Sequence, residues 1–210
     1  MSLIDVFRKA ERFVKYNYSD DLKDVYYFLN INPDEISKEF FFRQYTHVVY
    51  CSGFRWAVVK EKWPQLQEAY YDFDYIKVNW NREQVKKAAQ KIINHKAKIN
   101  AMLEMAATLS EWNQEYFKSY IQLAKKNIDA FEGLPYIGKV TKYHLGICMG
   151  FNVIKPDTHI QRLADHYRLS PFEMCETLSN QTGHPIRIID AILWRASEQK
   201  AINVSGEALK

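Results

Sequence analysis

The stretch GLPYIGKVT, residues 133–141, sets two glycines, a proline and a lysine where the chain can reverse. IKPDTHIQRL, residues 154–163, places a lone aspartate at a helix start. Gly133 can stop a helix, Pro135 cannot continue one, and Gly138 can take a positive φ at the reversal. A fresh helix is then expected over 139–148. Its first amides lack intrahelical partners and sit at the positive end of the helix dipole, so Lys139 and Lys142 would complete a small anion pocket. A DNA phosphate fits such a pocket without any base being read. The same spacing also suits an ordinary corner between two helices of a bundle. By spacing alone Asp157 is a cap: it or Thr158 precedes HIQRL, and Gln161 would complete a capping box with Thr158.

The elements that must position these residues follow from apolar periodicity. Leu3, Phe7 and Val14 open one helical stripe and Leu22, Val25 and Phe28 a second, and strand-like alternation is scarce throughout. Punctuation at 18–20, 32–34, 52–53, Pro64, 79–81, 133–138, 155–156 and 183–185 predicts about ten helices joined by short turns. The fold class is therefore all-α. With 210 residues and 47% hydrophobic content the chain can bury a real core, and only seven glycines and six prolines leave no low-complexity linker.

No apolar run reaches the ~18 residues of a membrane helix, and MSLIDVFRKAERF reads as an amphipathic helix rather than a cleavable signal. The cytoplasm is the expected compartment, and no membrane partner is expected. Cys51, Cys148 and Cys175 are odd in number and widely spaced, which suggests reduced interior thiols rather than a disulfide framework or a clustered metal site. A formal net charge of +4 leans towards a polyanionic partner.

LPYIGKVTKYHLGICMGFNVIKPDTHIQRL, residues 134–163, resembles the helix-hairpin-helix with glycine/proline-rich loop and aspartate of the endonuclease III superfamily of DNA glycosylases. IINHKAKINAMLEMAATL, residues 92–109, resembles the helix pair before that hairpin, and TGHPIRIIDAILW, residues 182–194, the closing helices of small members. The resemblance implies two helical lobes flanking a cleft: a central lobe over 30–148 and a second built from 1–29 plus 149–210. The hairpin would lie on the cleft rim and Asp157 at the cleft. Tyr136, Gly138, Lys139, Thr141 and Lys142 would meet the DNA backbone.

Glycosylase chemistry explains the aspartate. A base must leave the stack and be held in a pocket, and breaking its bond to C1′ develops oxocarbenium charge on the sugar. A carboxylate from Asp157 can stabilise that charge and help a water attack. Departures from the family pattern also matter. Bifunctional members carry a Schiff-base lysine at the second residue after the last hairpin glycine, where this chain has Val140, and a branched hydrocarbon is no nucleophile. The resemblance therefore implies a monofunctional hydrolase. The family's iron-sulfur cysteines are missing, and no cofactor or metal is expected. Tyr136 replaces the first hairpin glycine.

If Val140 faces the base, His144 and Cys148 share its helical stripe, which makes all three base-pocket candidates, with His144 the reader. The alternative for His144 is a satisfied histidine between helices. A zinc pair of His144 and Cys148 has a permitted spacing but no further evident ligands. At YCSGFRWAVV, residues 50–59, a helix breaks at Ser52-Gly53. Related glycosylases draw the wedge that fills the extruded base's place from such a junction, so Phe54 or Arg55 is the wedge candidate, whereas Trp56 reads as core. Lys86, Lys87, Lys91, Lys96 and Lys98 can track phosphates or form a solvated face. Phe40, Phe41 and Tyr45 read as packing.

The expectation is hydrolytic removal of a damaged or modified base, an alkylated purine first, from double-stranded DNA by a monomer at the nucleoid. An aromatic pocket suits a cationic, electron-poor base. The competing classes are a non-catalytic DNA-binding module that uses Asp157 only as a cap, and a helical interaction protein.

Overall fold

The computed structural model describes residues 1–202, without the side chain of Trp56, so the core reading of Trp56 lies outside the described residues. Among the described residues the chain is all-α, as expected, with no strand. In chain order the helices are α1 (Leu3–Asn17), α2 (Ser19–Leu29), α3 (Lys38–Cys51), α4 (Trp56–Ala69), α5 (Tyr75–Trp80), α6 (Arg82–Ile92), α7 (Lys96–Glu111), α8 (Gln114–Lys126), α9 (Thr141–Cys148), α10 (Thr158–His166), α11 (Pro171–Thr182) and α12 (Ile186–Glu198). Six of the helix breaks carry neither glycine nor proline, and two of them position residues that matter below. Between α4 and α5, Tyr71, Asp72 and Phe73 all take left-handed φ, at 50°, 56° and 64°. Between α6 and α7, His95 caps the new helix by accepting the Lys98 N–H on Nδ1 at 3.4 Å. Pro64, in contrast, breaks nothing. It lies inside α4, where Val59 and Leu66, both fully buried, anchor the helix on either side of the one lost hydrogen bond.

The chain divides into two compact units, one of residues 1–31 and 146–210 and the other of residues 32–145. The first packs α1, α2, α10, α11 and α12 around one core. Val6, Phe7, Ala10 and Val14 recur every three or four residues on α1, as an inward stripe requires, and share that core with Met174 and Leu178 of α11 and with Ile189, Ile192 and Leu193 of α12. Ser170 and Glu173 form a reciprocal capping box that starts α11, and Gly183, at φ 75°, ends it.

The second unit is organised by α3 and α7. Phe41, Phe42, Tyr45, Val48 and Val49 of α3 are fully buried, as are Ile99, Met102, Met105, Ala106 and Leu109 of α7. Each helix caps the other with a buried lysine from its own first turn. Lys38 Nζ donates to the Leu109 carbonyl at 2.9 Å and to the Trp112 carbonyl, at the end of α7. Lys98 Nζ donates to the Val49 and Ser52 carbonyls at the end of α3. The two helices therefore run antiparallel, and each places a cation at the negative end of the other's dipole.

Candidate functional site

The hairpin is built by local hydrogen bonds and propped from below. Phe131 buries its ring in the short 3-10 stretch Ile128–Gly133, and the chain then turns at Leu134–Ile137, closed by Ile137 N–H donating to the Leu134 carbonyl at 3.2 Å. Pro135 and Tyr136 hold the central positions, and Tyr136 carries the positive φ, 61°. That position of such a turn normally requires glycine. The positive φ expected at Gly138 is therefore at Tyr136 instead. Tyr45, fully buried on α3, donates its hydroxyl to the Pro135 carbonyl at 2.5 Å, so a side chain read as packing also fixes the turn.

The helix after the turn starts two residues later than spacing predicts, at Thr141. Its hydroxyl explains the delay: Thr141 Oγ1 accepts the Gly138 N–H at 2.7 Å, and the first i to i−4 bond runs from Lys142 N–H to the Gly138 carbonyl at 3.0 Å. Gly138, Lys139 and Val140 are exposed on the surface. Lys142 is not. Its ammonium, on a residue 7% exposed, pairs with Asp129 and, at 2.5 Å, with Glu132. Those two carboxylates, Asp129 first, hold its proton more tightly than in a free lysine. Lys142 thus ties α9 back to the stretch before the hairpin, and Lys139 is the open cation of the pair.

At the break between α3 and α4, Gly53 takes φ 78° and redirects the chain. Phe54 is half-buried, its ring 5.1 Å from Lys98 Nζ and 6.1 Å from the His95 ring, while Arg55 stands exposed at the start of α4. The hairpin reaches the same group: the Tyr136 ring centroid lies 4.8 Å from Lys98 Nζ and 5.9 Å from the His95 ring. Lys98 is 1% exposed. The solvated reading of that lysine run therefore fails at Lys98, although Lys87, Lys91 and Lys96 are exposed.

In the other unit Asp157 starts α10. Its Oδ1 accepts the amides of His159 at 2.9 Å and Ile160 at 3.2 Å, which makes it the N-cap. The alternative box does not form: Gln161 bonds Asp165 instead, at 2.7 Å. Both amide bonds fall on one oxygen, and the carboxylate is half-buried.

A model of the methyladenine glycosylase family matches residues 34–142, just over half of the chain. The chain belongs to the methyladenine glycosylase family. No curated protein and no solved structure matches it. The match runs from the start of the second unit through the hairpin and ends before His144, Cys148 and Asp157. This methyladenine glycosylase family member is thus a DNA glycosylase by family, consistent with the helix-hairpin-helix resemblance.

Several further residues of this glycosylase family member are brought to the candidate groups without any motif announcing them. The half-buried His144 ring meets His47 of α3 edge to face at 5.7 Å, and His47 meets Trp63 of α4 at 5.6 Å. Trp63 stacks on Phe73 at 5.1 Å, where the left-handed turn delivers it. Val140, which lies just before α9 and so off the helical stripe of His144 and Cys148, is 39% exposed, and Cys148, the last residue of α9, 2%. Beside Asp157, the Asp190 side chain is 4% exposed, accepts the Lys155 N–H at 3.2 Å and pairs with Arg187 at 3.1 Å. Burial, opposed by Arg187 and by the Lys155 amide, brings the Asp190 carboxyl up to about 6, with Asp157 adding to the rise. A helical stripe of 98, 102, 105 and 109 would have flagged Lys98; nothing local flags His47, Trp63 or Asp190.

Proposed function

We propose that the protein is a monofunctional hydrolase that excises an alkylated purine flipped out of duplex DNA, acting as a monomer in the cytoplasm. The observation that carries the reading is Asp157. Two amides hold its Oδ1, so the carboxylate is fixed in place before any substrate binds, as electrostatic stabilisation of a sugar cation requires. The family match through the hairpin supports an alkylated base as the substrate. In the proposed reaction the C1′–N bond breaks with its electron pair going to the cationic base, which leaves neutral. Water adds to C1′ and releases a proton, helped by Asp157.

The exposed backbone from Gly138 to Val140, with Lys139, takes a phosphate of the DNA, and Lys142 orders that segment through its carboxylate pair. His144, His47 and Trp63 form an aromatic wall suited to an electron-poor ring. Arg55, exposed at its helix start, enters the stack, and Phe54 supports it. With Val140 in place of the lysine there is no imine to the sugar, hence no strand cleavage by elimination.

The test is release of alkylated purines from dimethyl sulfate-treated duplex DNA by wild type, Asp157→Asn and Asp157→Ser. Serine keeps a cap but has no carboxylate. Both variants should fold and both should lose excision by at least a hundredfold. Equal activity in either would remove Asp157 from the chemistry, and wild-type binding without release would leave a DNA-binding module.

A further inference from the structure

Lys98 touches both segments that the proposed function assigns to DNA. Its ammonium holds the last carbonyls of α3, Val49 and Ser52, immediately before Gly53 and the insertion candidates Phe54 and Arg55. It also lies under the Tyr136 ring, at the one residue of the hairpin in a left-handed conformation. We infer that Lys98 is a positioning residue that couples the hairpin to the α3–α4 break, so that docking of the hairpin on a phosphate sets where the insertion residues stand.

The physical case has three parts. A non-glycine residue at positive φ persists only where its surroundings over-determine it, and here the ring of Tyr136 meets both the Lys98 cation and the His95 ring. A cation held between two aromatic faces and two carbonyls cannot shift towards one without leaving another. Finally, burial lowers the Lys98 ammonium to about 8, with Cys51 opposing the shift, so the charge that the rings recognise can be removed within the range where duplex DNA persists. The titratable groups facing it are Cys51 from α3, His95 before α7 and Tyr136 from the hairpin.

Loss of this charge acts on stability and on the ring contacts with opposite sign. Because the folded value lies below the ordinary 10.5, the folded protein binds fewer protons than the unfolded chain between these values. Stability from this group therefore rises with pH there, while the contact with the rings is lost.

The coupling rests on the function proposed above only for its purpose, and hydrogen exchange tests it without DNA. Tyr136→Leu is a surface change that should fold. It is expected to speed amide exchange at Ser52, whose N–H donates to the Val48 carbonyl at 3.1 Å, at least tenfold, with Tyr136→Phe close to wild type; unchanged exchange at Ser52 would overturn the coupling.

With DNA, the probe is a duplex bearing a tetrahydrofuran abasic analogue beside 2-aminopurine. Its fluorescence gain on binding wild type should fall severalfold from pH 7 to pH 9.5 and persist in Lys98→Arg. Cys51→Ser should keep the wild-type response. A response that vanishes with Cys51→Ser, or one that Lys98→Arg shares with wild type, would assign the titration elsewhere and sink the proposal. Since this duplex has no base to release, failure here is distinct from failure to excise.

Discussion

Lys38 and Lys98 are reciprocal caps: each rises from the first turn of one helix, α3 or α7, and ends on the last carbonyls of the other. Only Lys98 also meets the aromatic rings of the hairpin and the break. Lys38→Met should therefore act on stability alone. Leaving buried carbonyls without a donor costs about 1–3 kcal/mol, which urea unfolding will read as a lower midpoint at unchanged slope. Affinity of the folded protein for an undamaged duplex should stay within twofold. A large loss of affinity at full folding would place Lys38 on the DNA path instead.

Lys139 and Lys142 differ by three residues and should differ in kind. Each phosphate neutralised by a protein cation steepens the fall of affinity with salt by about one counterion. Lys139, exposed, should give Lys139→Ala a shallower log–log salt slope by about one. Lys142, committed to Asp129 and Glu132, should leave the slope unchanged in Lys142→Ala while weakening the hairpin's order. Fluorescence anisotropy across 50–300 mM salt decides this, and a slope change in the second variant alone would reverse the assignment.

The sequence makes some of this readable and hides the rest for physical reasons. Helical stripes and capping residues report local rules, so the all-α class, the hairpin turn at 134–138 and the cap at Asp157 are legible from spacing. Gly138 misleads because glycine permits a positive φ without requiring it, whereas Tyr136 takes one under tertiary constraint. Lys98 and Asp190 hide for another reason. A charge in the sequence reads as solvated, and only distant carbonyls, rings or an arginine make its burial tolerable. The left-handed run at Tyr71–Phe73 has no glycine to announce it; the Trp63 and Tyr70 rings stacked on Phe73 accompany it in the fold.

Asp190 should leave a pH signature on stability. Its folded carboxyl, at about 6, lies above the ordinary 3.8, so the folded state holds the proton more tightly than the unfolded chain. Its contribution is fully present below about pH 4 and is lost as pH rises through about 6. Between pH 5 and 7.5 the fold should weaken by about 1 kcal/mol from this group. Urea midpoints at both values for wild type and Asp190→Asn test it: the asparagine variant should lose that part of the difference. An identical pH dependence in both proteins would mean that the carboxyl titrates as it does in the unfolded chain.

Val140 carries the prediction that separates hydrolase from lyase. A lyase needs a neutral amine that attacks the C1′ aldehyde of an abasic site and expels water to form an imine, which borohydride then reduces to a stable bond. Val140 is 39% exposed and stands at the second residue after Gly138, so a side chain there can reach a bound DNA. Wild type incubated with an abasic duplex and borohydride should give no cross-linked band. Val140→Lys should give one, because the new amine occupies the place from which the resemblance has bifunctional enzymes attack. A band from wild type would make the protein a lyase through another amine. Absence of a band from Val140→Lys, with abasic DNA demonstrably bound, would mean that the residue before α9 does not look towards C1′.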